Sequence, residues 1–409
     1  LVPSLSGRCS AQLLASQWLE RSFESNRISL IEYRTRLQEL RRTVRLGIDP
    51  ALTCTDGVVS SLRQLMSSGW LNHRWRLVSV DCDHFAAEAW EESFACCYRN
   101  AQCVLSALFR LPDFRKRLFG ALSAMPSLWK LQALLESAWS LGFDSVGASQ
   151  LAATLRSSSN RLNNSPSAVN ASVTSAPTDE RNLVGLVDST AWLGVSDLVS
   201  LFGSIGVRCS LLECRAPSGP NNTHPRLLEH AYSYIVTGRV SSTSLETFSV
   251  PMVLQHEGHS RVVIGVEGEN ELYVLHTHMS LCNVTFLSIV LLMPIIFFLN
   301  VLFLCCPDYE VDETEQPTAL IILDPNISVD AMHQIAKAAE YSRLPDQSGA
   351  LARLSYFKHN WLDVLGSLRI DASEVNHLQY QLLQVNGLIE TELDLQDAMV
   401  PENITIAIS

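Results

Sequence analysis

The sequence predicts an α+β fold on three observations. Its first part reads mainly as helices, its later part holds short apolar runs of strand length, and its composition suits a packed core. Of 409 residues, 47% are hydrophobic, 18% charged and 8% aromatic. The formal charge of −12 argues against a general nucleic-acid binder, which needs a basic face. Eleven cysteines, an odd number without the spacing of a small secreted scaffold, read most simply as free thiols in a reducing compartment. No pair of C-x-x-C units occurs, so no zinc site is expected.

From Ser10 to Leu46 the chain reads as helix, with Leu13, Leu14, Trp18 and Leu19 at helical spacing, then Ile31, Tyr33, Leu37 and Leu40. Arg and Glu dominate between them, so this segment is expected to be a solvated arm (residues 1–50) closed by Gly47. Residues 51–409 then form the main domain. Helices are predicted at Gly57–Trp70, Pro126–Ser140, Ala191–Phe202, Arg226–Tyr234 and Val329–Ala339. Strands are predicted at Trp75–Val80, Arg208–Glu213, Val250–Gln255, Arg261–Glu267 and Ala319–Leu323. Residues 156–186, rich in Ser, Asn and Ala, read as a disordered insertion.

FACCYRNAQCVLSALF, Phe94 to Phe109, sets Cys96 and Cys97 at the start of a helix-forming run. Free N–H groups and the positive dipole end at that position favour a thiolate, although two small buried core residues would also fit. A thiol nucleophile needs a base in hydrogen-bond reach, a group that orients the base, and oxyanion donors. VPMVLQHEGHSRVVIGVE, Val250 to Glu267, reads as strand, turn, strand, with Gln255, His256 and His259 crowded at the turn. Asp324 ends the apolar strand ALIILDP and suits the orienting role. The residues alone leave open which cysteine and which histidine act.

At these motifs the chain resembles the papain-fold peptidases related to the ubiquitin-fold-modifier proteases, and most closely their zinc-finger ubiquitin peptidase branch. That branch carries G-C-G-Y-R-N-x-Q around its nucleophile, matched by Ala95 to Gln102, and L-Q-H-x-G-H-S-R, matched by Leu254 to Arg261. Its L-D-P appears as Leu323 to Pro325. Connecting blocks match at Asp83-His84-Phe85, Gly142-Phe143-Asp144, Ala191-Trp192, Thr223 to Leu227 and His377 to Gln381.

The resemblance implies a papain-like cysteine peptidase fold with an N-terminal helical arm. It makes Cys96 the nucleophile, His259 the base, Asp324 the orienting acid and Gln255 the oxyanion donor. Tyr98, Asn100 and Trp192, with Ile31 and Tyr33 on the arm, become the residues that bind substrate. The implied activity is that of a deubiquitinase, without cofactor or metal, acting on ubiquitin and polyubiquitin chains with a preference for linkage through lysine sixty-three. A monomer in cytoplasm and nucleus, binding no nucleic acid, is expected. The modifier-specific branch uses an Asp-Pro-His box, whereas Asn326 follows Asp324-Pro325 here, which favours ubiquitin over the ubiquitin-fold modifier.

Three departures stand out. Ser93-Phe94-Ala95 replaces the branch's G-W-G, and Cys97 replaces a glycine, which raises the alternative of a catalytically weakened ubiquitin-binding module. The branch's zinc fingers have no counterpart in the sequence. Residues 278–315 form an apolar insertion, of which Val284–Cys306 carries no charge. As a helix it would span about 35 Å, against a ~30 Å hydrocarbon core. A single crossing would separate His259 from Asp324. Translated non-coding sequence is therefore the favoured reading over a re-entrant or surface-lying membrane segment.

Overall fold

The computed structural model describes residues 10–68, 71, 75–119, 124–163, 185–237, 240–241, 247–268, 317–344 and 360–408. Two paired helices, Ala11–Glu24 and Leu30–Leu46, open the chain. The hydroxyls of Ser10 and Ser29 accept from the N–H groups of Leu13 and Glu32, capping donors that a helix start leaves unpaired. Gly47, at φ 69, closes the second helix in the left-handed conformation that a glycine reaches without strain.

The expected solvated arm needs correction. Ala11 and Ala15 are buried within the main hydrophobic core, Leu19 is buried as well, and Leu14, Trp18, Leu40 and Val44 pack against that core. Asp188 ties the arm's start to the domain, accepting from the Ser10 hydroxyl, the Gln12 N–H and the Trp129 indole at 2.5 to 2.9 Å. The outer faces of both helices remain solvated, with Leu13 52% and Ile31 79% exposed.

The strands in chain order are β1 (Cys54–Thr55), β2 (Trp75–Val78), β3 (His84–Phe85), β4 (Val207–Cys214), β5 (Val240–Ser241), β6 (Thr247–Phe248), β7 (Met252–His256), β8 (His259–Gly268), β9 (Ala319–Leu323), β10 (Arg369–Asp371), β11 (Tyr380–Leu388) and β12 (Thr405–Ile408). Eight form the main sheet, in the order β10-β9-β8-β7-β11-β4-β12, with β2 on the far half of β8. All pairings in it are antiparallel except β12 on β4. Both faces are covered, which explains why the central strands read as apolar runs without clean alternation. Val262, Ile264, Ile321 and Leu323 face the main core, while Val263, Val266, Leu320 and Ile322 face a second core under the helix Pro225–Thr237. An irregularity in the β8–β9 register between Val263 and Gly265 shifts the alternation, so that Val266 joins the second core.

Against the main-core face lies the helix Cys96–Arg110, buried at twelve of its fifteen positions. Truncating one of its central residues, such as Leu108, to alanine should cost about 2–5 kcal/mol. This helix begins with Cys96, β8 begins with His259, and Asp324 follows the last residue of β9.

Each predicted strand and helix named above has an observed counterpart, with ends shifted by a few residues. Of the expected disordered insertion, the helix Ser145–Asn163 covers the first part and Leu186 is fully buried, whereas residues 164–184 lie outside the described residues. The apolar segment Val284–Cys306 lies outside the described residues. Among the described residues no helix is long and apolar enough to cross a membrane.

Candidate active site

Cys96 is the first residue of its helix, and Ala95 at the cap position offers no side-chain acceptor. The first-turn N–H groups and the positive helix end are thus left for a sulfur anion and for an oxyanion. The approach to Cys96 is held from below. Phe94 and Ala95 donate their N–H groups to the Glu91 carbonyl, and the Glu91 carboxylate takes two bonds from Arg99 at 2.8 and 2.9 Å. Ala95 has φ −91 and Cys97 is not at positive φ, so losing the family's glycines at these positions imposes no backbone strain.

His259 begins β8, directly across the hairpin from His256, with Gly258 at φ +86 turning the corner. Val262 of β8 pairs with Leu323 of β9, which delivers Asp324 beside the start of β8. His259 Nε2 lies 3.0 and 2.9 Å from the two Asp324 carboxylate oxygens, and the ring also hydrogen-bonds the Cys96 sulfur. With Nε2 committed to Asp324, Nδ1 is the nitrogen left to meet the sulfur. Asp324 also accepts from Arg261 Nε at 2.8 Å and from the Asn326 N–H at 2.9 Å. Its own carbonyl is held at 2.9 Å by Nε2 of the buried His84.

Electrostatics follow from these contacts. Hydrogen bonding from Cys97, then from His259 and Ser260, holds the Cys96 thiol well below its ordinary range against the cost of burial. The Cys97 thiol is pushed far up by its bond to Cys96 and by full burial, so the pair's proton stays on Cys97. Burial disfavours a charged His259, but the bonds to Asp324 and Cys96 outweigh it and raise the ring to about 9. Burial likewise opposes the Asp324 charge, and the His259 bond reverses that, lowering the carboxyl to about 2. Near neutral pH the site is a thiolate–imidazolium–carboxylate row.

Gln255, the expected oxyanion donor, lies on β7 beside Val195. Its side-chain oxygen accepts from the Val195 N–H at 2.6 Å, which leaves the NH₂ as the donating end. Trp192 lies at the rim, 47% exposed. Its indole N–H donates to the Ser93 carbonyl, and its ring sits 3.7 Å from where a β-carbon on Gly258 would be. It therefore joins the loop before Cys96 to the turn before His259.

The expected substrate contacts of Tyr98 and Asn100 need correction, because both are fully buried. Tyr98 reaches the Ala191 carbonyl and Gln132, supporting the loop that carries Trp192. Asn100 donates to Ser260 Oγ at 2.9 Å, and that oxygen stands 3.2 Å from Cys97 Sγ. On the arm, Ile31 is exposed while Tyr33 stacks on Phe23 at 5.2 Å, so part of Tyr33 serves the helix pair itself.

Ser260, Arg261 and His84 were not singled out by sequence reasoning. The first two lie inside the quoted histidine box, where strand alternation was the available signal. Cys54, Asp56 and Asp83 have ligand atoms within 4.8 Å of one another. The Asp83 carboxylate, however, already takes Arg110 and the Gly57 N–H, so these residues read as an ion-pair cluster.

The nucleophile candidate at the start of a central helix, with base and orienting acid on neighbouring antiparallel strands, is a papain-like arrangement. The model of peptidase family C78 matches residues 72–282, just over half of the chain. The chain belongs to peptidase family C78. The matched C78 stretch carries Cys96, Gln255 and His259 and stops short of Asp324. Among curated proteins, zinc finger-containing ubiquitin peptidase 1 of Mus musculus is 29% identical over 250 residues, covering 61% of this chain and 38% of that protein. Its Homo sapiens counterpart is 31% identical over 237 residues, covering 58% and 35%. This C78 chain thus spans little more than a third of the length of those relatives. The crystal structure of UfSP from C. elegans aligns with a TM-score of 0.35 at 9% identity, covering 78% of this chain and 36% of that one.

Proposed function

We propose that this C78 chain is a cysteine isopeptidase that removes ubiquitin from ubiquitin chains. The observation that carries the reading is the row Cys96–His259–Asp324, in which the carboxylate holds Nε2 and leaves Nδ1 for the sulfur. The Cys96 thiolate attacks the carbonyl carbon of ubiquitin's C-terminal residue. The developing oxyanion is met by the Cys96 backbone N–H and the Gln255 NH₂. His259 gives its proton to the departing lysine amine, leaving a thioester. It then takes a proton from water, which attacks the thioester and frees the ubiquitin carboxylate.

Relatives described as ubiquitin peptidases, and a histidine ahead of the acid rather than in an Asp-Pro-His box, support ubiquitin over the ubiquitin-fold modifier. The exposed Ile31 face supports a binding role for the arm, and the preference for chains linked through lysine sixty-three is proposed with it. Free thiols at the site fit a reducing cytoplasmic or nuclear setting. The unstrained backbone at Ala95 supports turnover over a binding module without catalysis.

Ubiquitin and the ubiquitin-fold modifier, each carrying a C-terminal propargyl group, test the reading. Ubiquitin probe alone should label Cys96, as located by peptide mass spectrometry. Labelling only by the modifier probe, or none by either, would overturn it.

A further inference from the structure

Arg261 lies one residue beyond Ser260, and no step of the proposed reaction needs it. Its guanidinium nevertheless joins the Asp324 carboxylate to the His256 ring. Nε donates to Asp324 Oδ2 at 2.8 Å, and Nη1 lies 3.0 Å from His256 Nε2. A guanidinium only donates, so His256 Nε2 must accept, and the ring's proton sits on Nδ1. That nitrogen is 3.0 Å from the Glu257 carbonyl, as a donor should be. The far face of the ring is covered by His377, stacked at 3.8 Å and 6°. His256 is therefore a neutral acceptor with one tautomer. Burial, His377 and Arg261 all resist its protonation and lower it to about 4.

We infer that Arg261 and His256 form a positioning pair for the triad carboxylate, His256 fixing the guanidinium and the guanidinium fixing Asp324. The inference rests on the proposed triad. Oδ2 is shared between His259 Nε2 and Arg261 Nε, so the guanidinium limits how the carboxylate can turn away from the imidazole. A lysine at 261 would supply charge without the fork that reaches both partners. Arg261 also acts on His259 electrostatically. The groups facing that ring are Cys96 from the nucleophile helix, Asp324 beyond β9, Arg261 on its own strand and His256 on β7. Arg261 works against its charge, and Asp324 and Cys96 favour it. His256 is faced by His377 ahead of β11 and Tyr380 at its start, by Arg261 and His259 on β8, and by the turn at Glu257.

The test is the pH profile of ubiquitin–dye hydrolysis for Arg261→Gln, Arg261→Lys, His256→Phe and His256→Gln, with circular dichroism to establish folding. Arg261→Gln should lose about tenfold to a hundredfold in kcat/KM. Its alkaline limb should rise by about one pH unit, because a cation beside the imidazolium is gone. Arg261→Lys should lose rate while keeping the limb near its original pH. His256→Phe keeps the ring stack and loses the acceptor, so it should be slower than His256→Gln, whose amide oxygen can accept from Arg261. A folded Arg261→Gln with unchanged rate and limb overturns the inference, as does equal activity of His256→Phe and His256→Gln. Should Arg261→Gln fail to fold, the His256 pair decides alone. Labelling of Cys96 by the ubiquitin probe in the unsubstituted chain keeps the outcomes apart. Its absence defeats the proposed function, whereas intact labelling with unaffected variants defeats only the positioning pair.

Discussion

His259 Nε2 meets both oxygens of Asp324, at 2.9 and 3.0 Å, and this bidentate contact fixes which ring nitrogen faces Cys96. It also sets the expected pH behaviour. His259 is raised to about 9, so the imidazolium that protonates the leaving amine persists through neutral pH and is lost as pH climbs through about 9. Cys96 is depressed, so its thiolate is lost only well below neutral. Isopeptide cleavage should therefore fall above about pH 9, while alkylation of Cys96 by iodoacetamide, which needs no proton donor, should continue there. Asp324→Asn should bring the alkaline limb of cleavage down toward the ordinary 6.5 and slow cleavage roughly 10²- to 10⁴-fold. An unmoved limb in that variant would reject the assignment.

The two thiols should separate cleanly. Cys96→Ala should abolish probe labelling and chain cleavage. Cys97→Ala should keep most labelling at neutral pH, since its sulfur is buried and holds the pair's proton. Removing that donor should shift the acid limb of labelling upward, because the Cys96 thiolate loses its leading stabilising contact. Normal labelling of Cys96→Ala with a dead Cys97→Ala would exchange the roles.

On the arm, Ile31 and Tyr33 should now part company. Ile31→Asp alters an exposed side chain and should weaken cleavage of long chains, with little effect on a ubiquitin–dye substrate or on melting temperature. Tyr33→Ala also removes a ring stack on Phe23, at a cost of about 0.5–1.5 kcal/mol, so its melting temperature should drop as well. Equal loss on both substrates from Ile31→Asp would make that position structural.

Strands β8 and β9 constrain the insertion between them. Thr318 N–H donates to the Glu267 carbonyl at 2.8 Å, so the chain leaves and re-enters the sheet at neighbouring points. A single membrane crossing between them is incompatible with that pairing. Replacing His278–Glu315 with a short Gly/Ser linker should keep turnover and raise soluble yield, since shorter loops close at slightly lower entropic cost. A folded but inactive deletion would make the segment part of the enzyme.

Legibility in the sequence followed locality. Cys96, His259 and Asp324 each sit in a compact motif, and the strands that carry the last two are apolar enough to be read directly. Arg261 and Ser260 were visible only through period two: His259 and Arg261, two apart, both reach Asp324, while Ser260 between them turns to Cys97 and Asn100. Strand β11 was harder to read as a whole, because Gln381, Gln384 and Asn386 interrupt its apolar pattern. Gln384 is nevertheless buried there, its amide matched to Ser210 and His230, a compensation that exists only once β4 and the helix Pro225–Thr237 are in place. The arm misled for the opposite reason. Its charged residues concealed a narrow face of Ala11, Leu14, Ala15 and Trp18 that docks on the core.

Arg99 has a consequence for how this sequence can vary. It bonds Glu91, in the loop before the nucleophile, and Asp49, two residues past the Gly47 cap of the second helix, all three side chains being at most 6% exposed. Removing the cation alone strands two carboxylates in the interior, and removing either acid alone unbalances the others, at about 3–5 kcal/mol for a broken buried pair. Substitutions here are therefore strongly non-additive: a chain that has lost Arg99 tolerates neutral replacements at 91 and 49 better than the native acids. These three positions, distant in sequence, should be inherited together and exchanged together.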